Sequence, residues 1–256
     1  MMARARGPGD GAVWFDQSAY DVRVEWGGGG VASLCDGAEV VVIVDVLSFS
    51  TCVDVAVGRG AAILPFARSG DEARAYARQM GAQCGGPRGE GRFSLSPTSF
   101  AEIGAGERVV LPSPNGGALS LHTGGKPTFT ACLRNASAVA LAAQEVGRRI
   151  AVIAAGERWK SDALRPALED WLGAGAVVAA LEGSRSPEAD GAQVMFEASA
   201  RRLPDILIGC ASGRQLVDLG FTDDVVWASA LNMSACAPIL RAGAFVDAGT
   251  GRMAGT

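Results

Sequence analysis

Several residue types are scarce in this sequence, and each shortage excludes a class of chemistry. Only 1 His occurs among the 256 residues, which excludes a His-rich zinc site and any mechanism that needs two imidazoles. The 6 Cys form no CxxC pair, so neither a structural zinc nor a redox dithiol is expected. Chemistry in this protein must therefore use carboxylates, hydroxyls, amides, Arg, Lys or single thiols.

Long apolar runs and an excess of positive charge are also lacking. The first ten residues have no apolar stretch of the kind found in signal peptides, and the longest apolar run, residues 171–181, is too short to cross a bilayer. The 23 Lys and Arg against 27 Asp and Glu give a net charge of −4, which is no basis for binding nucleic acid or an anionic membrane. We expect a cytoplasmic protein with free thiols that binds neither of these partners.

Glycine, by contrast, is abundant, with 35 residues, and hydrophobic residues make up 48% of the chain. This is enough apolar material for a core, and a chain of 256 residues lies near the upper size for a single core. No internal repeat and no linker is visible. We therefore predict one compact domain over residues 13–256, preceded by a disordered segment at 1–12.

The chain repeats a pattern of apolar strand, polar turn and helix. Residues 40–44 are a continuous β-branched run, which is typical of a strand buried on both faces. The alternation predicts an α/β fold in three layers, with a mixed or mostly parallel sheet flanked by helices. We expect strands at 40–44, 61–66, 108–111, 127–132, 149–155 and 225–228, and helices at 50–59, 71–80, 135–146, 163–181, 187–200 and 215–219.

Ligands of α/β proteins bind where strands end and helices begin, and the first such junction here carries a carboxylate followed by hydroxyls. Asp45 leaves a predicted strand, and Ser48, Ser50 and Thr51 lead into a predicted helix. The N–H groups of a helix start favour an anion there, and Asp45 could hold Mg²⁺ or act as base or nucleophile. The alternative is that Ser50 or Thr51 caps the helix and Asp45 is a turn residue.

Three further segments carry polar groups next to predicted strands or helices. Asn115-Gly116 would let a ligand approach main-chain amides closely, although Asn-Gly is also a common tight turn. Residues 154–160 place a carboxylate and two cations after a strand, which is either a site or a solvated turn. Glu169 and Asp170 precede an uncharged helical stretch. Carboxylates in a buried helix need a partner or a cation, unless they only complement the helix dipole.

His122 and most cysteines are expected to be structural. His122 lies in a turn-rich region, where a surface or capping histidine is the more common case. The cysteines are expected to be small core hydrophobes. Cys52 is the exception to watch, because the start of a helix would lower the pKa of its thiol. Asn135 is expected to cap the helix that it precedes.

Taken in order, these motifs resemble the 2-phosphosulfolactate phosphatase family over roughly residues 41–245. No single motif is specific, and the resemblance rests on the ordered set. The set includes Val44-Asp45-Val46-Leu47 with Ser50-Thr51, Ser96-Pro97, Asn115-Gly116, Arg134-Asn135, Ala155-Gly156, Glu169-Asp170, Ser212-Gly213-Arg214 and Asp223-Asp224-Val225.

This resemblance implies a Mg²⁺-dependent phosphomonoester hydrolase of coenzyme M biosynthesis that acts on a small anionic phosphorylated substrate. It implies that Asp45, Glu169 and Asp170 are the catalytic and metal-binding residues. It also implies a set of substrate- or phosphate-binding residues: Ser48, Ser50, Thr51, Asn115, Gly116, Asn135 and Arg214, with Arg88 as a second source of positive charge. It leaves open whether water or Asp45 attacks phosphorus. The oligomeric state is also left open, and a homodimer is one possibility.

Several positions depart from the family pattern, mostly on the side expected to bind substrate. The family usually has Arg where this chain has Ser48, so the first loop lacks a guanidinium. A family Glu is replaced by Pro87, an Asn by Leu95 and a His by Ser212. These losses keep two alternatives open: a small-anion binding or regulatory protein, and a phosphatase with a different substrate.

Overall fold

The computed structural model describes residues 13–249, and over this range nine strands form one sheet and two more form a separate ribbon. The strands are β1 (Val22–Trp26), β2 (Val40–Val44), β3 (Ala62–Phe66), β4 (Gln83–Cys84), β5 (Arg108–Pro112), β6 (Thr128–Ala131), β7 (Ile150–Ala154), β8 (Glu157–Arg158), β9 (Leu164–Arg165), β10 (Pro238–Arg241) and β11 (Ala244–Asp247). The helices are α1 (Gly27–Leu34), α2 (Phe49–Val57), α3 (Asp71–Gln79), α4 (Gly116–Ser120), α5 (Ala136–Val146), α6 (Leu168–Ala179), α7 (Pro187–Ser199), α8 (Leu203–Gly209), α9 (Ala211–Asp218) and α10 (Thr222–Ala228). The segment at 1–12, predicted to be disordered, lies outside the described residues.

The sheet consists of two parallel halves joined by an antiparallel hairpin. β1, β7, β2 and β6 are parallel neighbours in that order, and β3, β5 and β4 form the second parallel half. β10 and β11 lie between the halves and pair antiparallel with each other, with β6 and with β3. The predicted α/β class, with a mixed sheet flanked by helices, is confirmed.

Helix α2 connects the two halves and is buried along its whole length. All of its residues are buried, and it packs against β6 of one half, β3 of the other half and the hairpin strand β11. A helix in such a place must be apolar on nearly every face. Its one charged residue, Asp54, pairs with Arg134 at 2.9 Å, as a buried charge requires. The polar start of α2 is consequently fixed at the carboxyl end of β2.

Helix α6 lies close against β2 because Gly173 has no side chain. A Cβ at this position would lie 2.7 Å from Cγ2 of Val46 and 2.8 Å from Cγ1 of Val44. Both distances are shorter than a van der Waals contact, so the close packing depends on glycine. The approach brings the start of α6, with Asp170, to the loop that follows β2.

The predicted strand at 225–228 is wrong, because this segment belongs to helix α10. Val225 and Ala228 are fully buried, while Val226 is 48% exposed, and burial at an interval of three residues is typical of a helix. An apolar run of this length is too short to distinguish the two periodicities.

Two predicted helices have different starting points in the structure. The helix expected from residue 163 begins at Leu168, because Leu164 and Arg165 pair with β8 and form the ribbon instead. The helix expected at 215–219 begins earlier, at Ala211, where the sulfur of Cys210 accepts the N–H of Gly213. A cysteine cap of this kind has no sequence signal comparable to Ser, Thr, Asp or Asn.

Eight elements were not predicted: β1, β4, β8, β9, β10, β11, α1 and α8. Helix α1 begins with four glycines, and glycine is a poor helix former, so its helical conformation depends on packing against β1 and β7. Strands β10 and β11 are short and lie close to the end of the chain. Within residues 13–249, no helix combines the length and the apolar character needed to cross a membrane.

A matched pair of glycine substitutions tests the packing of α6. We expect Gly173→Ala to lower the free energy of unfolding by about 1–3 kcal/mol, because the new methyl group overlaps Val44 of β2 and Val46 of the loop that follows. Gly191→Ala in α7, where a Cβ meets nothing within 4 Å, should raise it by about 0.5–1 kcal/mol through helix propensity. Urea unfolding measures both values, and equal effects of the two substitutions would contradict the packing argument.

Candidate active site

The carboxylate of Asp45 lies at the carboxyl end of β2 and is almost completely buried. Its Oδ1 accepts the N–H of Phe49 at 3.1 Å, and its Oδ2 accepts the N–H of Gly116 at 2.8 Å. A Cβ on Gly116 would lie 2.7 Å from Oδ2, so this approach requires glycine. The predicted site residues Asp45 and Gly116, 71 residues apart in the chain, are therefore in direct contact.

Burial raises the pKa of the Asp45 carboxyl to about 7, and the negative charges of Glu157 and Glu169 act in the same direction. The N–H groups of Gly116 and Phe49 oppose this rise but do not cancel it. A carboxyl group that titrates near neutral pH is suited to accepting a proton or to binding a cation.

Asp170, at the start of α6, connects two loops of the site. Its Oδ1 accepts the N–H of Val46 at 2.7 Å, and its Oδ2 accepts the N–H of Gly156 at 2.8 Å. The loops after β2 and after β7 are thereby held together. Burial raises the pKa of Asp170 well above its ordinary value, and the charges of Asp45 and Glu169 add to the rise. The three predicted carboxylates are thus close enough to repel one another.

Oxygen donors around Asp45 fit Mg²⁺ in an open arrangement. Glu169 is buried, and the one hydrogen-bond donor to its side chain within residues 13–249 is the thiol of Cys210, at 3.4 Å. Among the described residues, no group of three or more His, Cys, Asp or Glu converges as a ready-made metal cage. Mg²⁺ usually binds one or two carboxylates and completes its shell with water and substrate oxygens. Asp45, Glu157 and Glu169 supply such donors, and their mutual repulsion favours a cation.

Ser50 and Thr51 are fully buried, and their hydroxyls are used within the fold. Ser50 Oγ accepts the N–H of Asp45 at 3.0 Å and lies 2.6 Å from Oγ1 of Thr130. Thr51 Oγ1 donates to the carbonyl oxygen of Val46 at 2.7 Å. The two hydroxyls shape the loop that carries Asp45, and their predicted contact with phosphate stays a prediction.

Asn135 and Arg214 lie apart from the hydrogen bonds around Asp45. Asn135 is fully buried, and its Oδ1 accepts the N–H of Cys132 at 2.9 Å, so it does not cap α5 as expected. Arg214 is exposed on α9, and its side chain forms no hydrogen bond or ion pair with another residue of the range 13–249. It borders a shallow depression with Ala211, Gln215, Asp218 and Leu219. Binding of substrate by either residue stays a prediction.

The guanidinium missing from position 48 is supplied by another segment. Arg88, in the loop after β4, donates to Oγ of Ser48 at 2.8 Å and to Oδ2 of Asp224 at 2.8 Å. Positive charge is thus present at the start of α2. The pairing of Arg88 with Asp224 could not be found from sequence, because 136 residues separate the two.

A cleft of 630 Å³ opens beside α4 and the ribbon of β8 and β9. Asn115 and Glu157 line it, and Asn115 precedes the Gly116 that contacts Asp45. His122 also borders the cleft, is exposed and has Nδ1 2.7 Å from the carbonyl oxygen of Ala118, in agreement with the expected surface position.

The expectation of a low pKa for Cys52 is wrong. Cys52 is fully buried in the first turns of α2, and burial raises the pKa of its thiol well above the ordinary value. Loss of hydration outweighs the effect of the helix start. Four of the other five cysteines are also buried, as expected for small core hydrophobes, and all six are free thiols.

Comparison with known proteins agrees with the resemblance seen in the motifs. A family model described as 2-phosphosulpholactate phosphatase matches residues 32–243. The 2-phosphosulfolactate phosphatase of Methanothermobacter thermautotrophicus is 29% identical over 211 residues, which cover 81% of this chain and 89% of that protein. Two probable 2-phosphosulfolactate phosphatases are also similar. That of Gloeobacter violaceus is 30% identical over 77% of this chain and 86% of its own length, and that of Carboxydothermus hydrogenoformans is 29% identical over 76% and 83%.

The raised pKa values of Asp45 and Asp170 predict how stability depends on pH. Because the folded-state pKa values lie above the unfolded value of 3.8, the stability that each group contributes is present at low pH and is lost as the pH rises, in the case of Asp45 through about 7. Without added metal, we expect the free energy of unfolding to fall between about pH 5 and 7, and to fall less in Asp45→Asn.

Urea unfolding at a series of pH values in EDTA measures this slope. Asp205→Asn, which removes an exposed carboxylate on α8, controls for the loss of one negative charge. Identical slopes for the wild-type protein and Asp45→Asn would contradict a raised pKa at Asp45.

Proposed function

Because the chain belongs to the 2-phosphosulfolactate phosphatase family, and so to the phosphoric monoester hydrolases, we propose that it hydrolyses a small acidic phosphomonoester in a Mg²⁺-dependent reaction. The first candidate substrate is 2-phosphosulfolactate, which would yield phosphate and sulfolactate and connect the protein to coenzyme M biosynthesis. The observation that carries the proposal is the buried Asp45 carboxyl at the carboxyl end of β2, with its pKa near 7.

The charge distribution around the start of α2 supports binding of a phosphorylated anion. Arg88 uses two N–H groups for Ser48 and Asp224, and a guanidinium carries five, so three remain for a ligand. Asn115 lines the adjoining cleft, and no hydrogen bond involving its side chain is formed within residues 13–249. These neutral and positive donors offset the carboxylates when a substrate with several negative groups enters.

Asp45 is the group best placed to act on the reacting phosphoryl group. In its ionised form it either accepts a proton from the attacking water or attacks phosphorus itself, and both routes need the deprotonated carboxylate. Either way the bond from phosphorus to the substrate oxygen breaks, and that oxygen leaves as a hydroxyl after taking up a proton. If Asp45 attacks, the phosphoryl group is first bonded to its carboxylate, and water then cleaves this bond to release phosphate. The N–H groups of Phe49 and Gly116 fix the direction of the carboxylate during this step.

Asp45, Glu157 and Glu169 would hold the Mg²⁺ ion. When bound, Mg²⁺ neutralises negative charge on the phosphoryl oxygens and on these carboxylates. Asp170 keeps the loops after β2 and β7 in place through its two backbone hydrogen bonds. A direct contact of Asp170 with the metal stays a prediction.

Removal of the Asp45 charge should abolish most of the activity. We expect Asp45→Asn to lower kcat for phosphate release from 2-phosphosulfolactate by about 100-fold or more, because the amide can neither accept the proton nor attack phosphorus. Asp54→Asn is the matched control, since Asp54 is also a buried carboxylate but lies further along α2 and pairs with Arg134. It should lower stability and leave kcat within a few-fold of wild type, and wild-type turnover by Asp45→Asn would contradict the proposed role.

Dependence on Mg²⁺ can be separated from phosphatase activity itself. We expect excess EDTA to stop phosphate release and added Mg²⁺ to restore it. Because a cation favours ionised Asp45, Mg²⁺ should also raise Tm more at about pH 8 than at about pH 5.5. Full activity in EDTA, together with no change of Tm on addition of Mg²⁺, would contradict the metal requirement but not the phosphatase activity.

A second candidate, a small-anion binding or regulatory protein, is favoured by the departures from the family pattern at Ser48, Pro87 and Leu95, where the family usually has Arg, Glu and Asn. A panel of phosphomonoesters with Mg²⁺ or Mn²⁺ distinguishes the two. Turnover of at least one compound supports the phosphatase. No turnover together with ligand-dependent thermal stabilisation supports the binding protein.

A further inference from the structure

A buried carboxylate outside the Asp45 cluster has an unusually complete set of partners. Asp224, in the first turn of α10, is 1% exposed. Its Oδ1 accepts the hydroxyls of Ser96 at 2.6 Å and Thr98 at 2.9 Å, and its Oδ2 accepts an N–H of Arg88 at 2.8 Å. A carboxylate removed from water requires such compensation, and the partners come from a different segment of the chain. The arrangement joins α10 to the loop between β4 and β5.

Arg88 is held on three sides by this arrangement. One terminal nitrogen donates to Asp224 and the other to Oγ of Ser48, each at 2.8 Å, while the guanidinium lies 5.6 Å from the centre of the Phe221 ring. The side chain is nevertheless 19% exposed. It lines a cleft of 800 Å³ that is bordered by residues 67–70 and 84–88. A guanidinium with a fixed plane and unused donors facing a cleft is prepared to bind an anion.

Arg88 and Asp45 are on neighbouring sides of the start of α2. Ser48, which accepts from Arg88, immediately precedes α2 and lies three residues after Asp45. Cys52, one turn further on, is influenced electrostatically by Arg88, Asp224 and Asp45 together. A small ligand at Asp45 can therefore reach toward the guanidinium.

The two clefts differ in what they offer a ligand. The 630 Å³ cleft holds Glu157 beside the Asp45 region, and the 800 Å³ cleft holds Arg88. Pro114 lines both, so they adjoin at the turn between β5 and α4. A substrate with a phosphoryl group at Asp45 would direct its remaining part past this turn.

We propose that Asp224 is a positioning residue that, with Ser96 and Thr98, aims Arg88 at an acid group of the substrate other than the phosphoryl group. The inference rests on the proposed function for the identity of the substrate. It assigns Arg88 to the carboxylate or sulfonate that stays unchanged in the reaction. Because such a contact is equally strong in the ground state and the transition state, its loss raises KM and leaves kcat nearly unchanged.

Equilibrium binding of two probes tests this proposal without requiring turnover. Sulfolactate carries the unreactive acid groups and inorganic phosphate carries only the phosphoryl oxygens. We expect Asp224→Asn and Arg88→Ala each to raise the calorimetric Kd of sulfolactate by about 10-fold and to change that of phosphate by less than about 2-fold. The double variant should be no worse than Arg88→Ala alone, because Asp224 acts through Arg88.

Two further variants keep the outcome clear. Asp223→Asn removes the neighbouring, exposed carboxylate of the same helical turn and should leave both Kd values at wild type. If Asp224→Asn does not fold, Thr98→Val removes one of the three hydrogen bonds to the carboxylate and should shift sulfolactate binding in the same direction.

Kinetics then separate the inference from the proposed function. With 2-phosphosulfolactate as substrate, we expect Asp224→Asn to raise KM about 10-fold at nearly constant kcat. With glycerol 2-phosphate, an ester that carries no charge apart from its phosphoryl group, the same substitution should change neither KM nor kcat. Unchanged sulfolactate binding in Asp224→Asn, an equal loss for both probes, or no binding of sulfolactate by the wild-type protein would overturn the inference. If the wild-type protein binds sulfolactate but releases no phosphate from either phosphomonoester, the proposed function would be overturned instead.

Discussion

The carboxylate of Asp45 joins the two halves of the sheet at the point where the site forms. One oxygen accepts the N–H of Phe49, which follows β2 of the first half, and the other accepts the N–H of Gly116, which follows β5 of the second half. Only a residue without a side chain permits the second bond, since a Cβ on Gly116 would overlap the carboxylate. Each such bond to a charged group contributes about 1.5–3 kcal/mol, but burial of the carboxylate costs more than they return, and its pKa rises. The same contact therefore joins the two halves of the sheet and holds a carboxyl group with a raised pKa in place.

Like charges account for much of what surrounds this point. Asp170 ties the loops after β2 and β7 together, and Glu169 and Glu157 bring further negative charge toward Asp45. Such a group is unfavourable without a cation or a proton, which is why a hard divalent ion is a natural complement. Arg88 balances the anionic side from across the start of α2, held there by Asp224.

The fold class and the central carboxylates could be predicted because they depend on local pattern. The β-branched run of β2, the acidic residue at its end and the carboxylates at the start of the apolar helix α6 are visible without any partner segment. The ribbon of β8 and β9, the glycine-led helix α1 and the short helix α10 could not be predicted, because tertiary packing overrides weak or ambiguous local signals. The contacts of Ser50 and Thr51 could not be predicted for another reason. A hydroxyl near a strand end has the same sequence signal whether it faces a ligand or, as here, bonds to the backbone of its own loop. The partnership of Arg88 with Ser48 and Asp224 depends on three distant segments and has no local signal at all.

A crystal structure of the protein with Mg²⁺ and inorganic phosphate would test the central claim most directly, because it locates both ions relative to Asp45. We predict Mg²⁺ on the Asp45 carboxylate and phosphate beside it at the carboxyl end of β2. Both ions bound elsewhere, with Asp45 contacting only the N–H groups of Phe49 and Gly116, would contradict the assignment of Asp45 as the reaction centre.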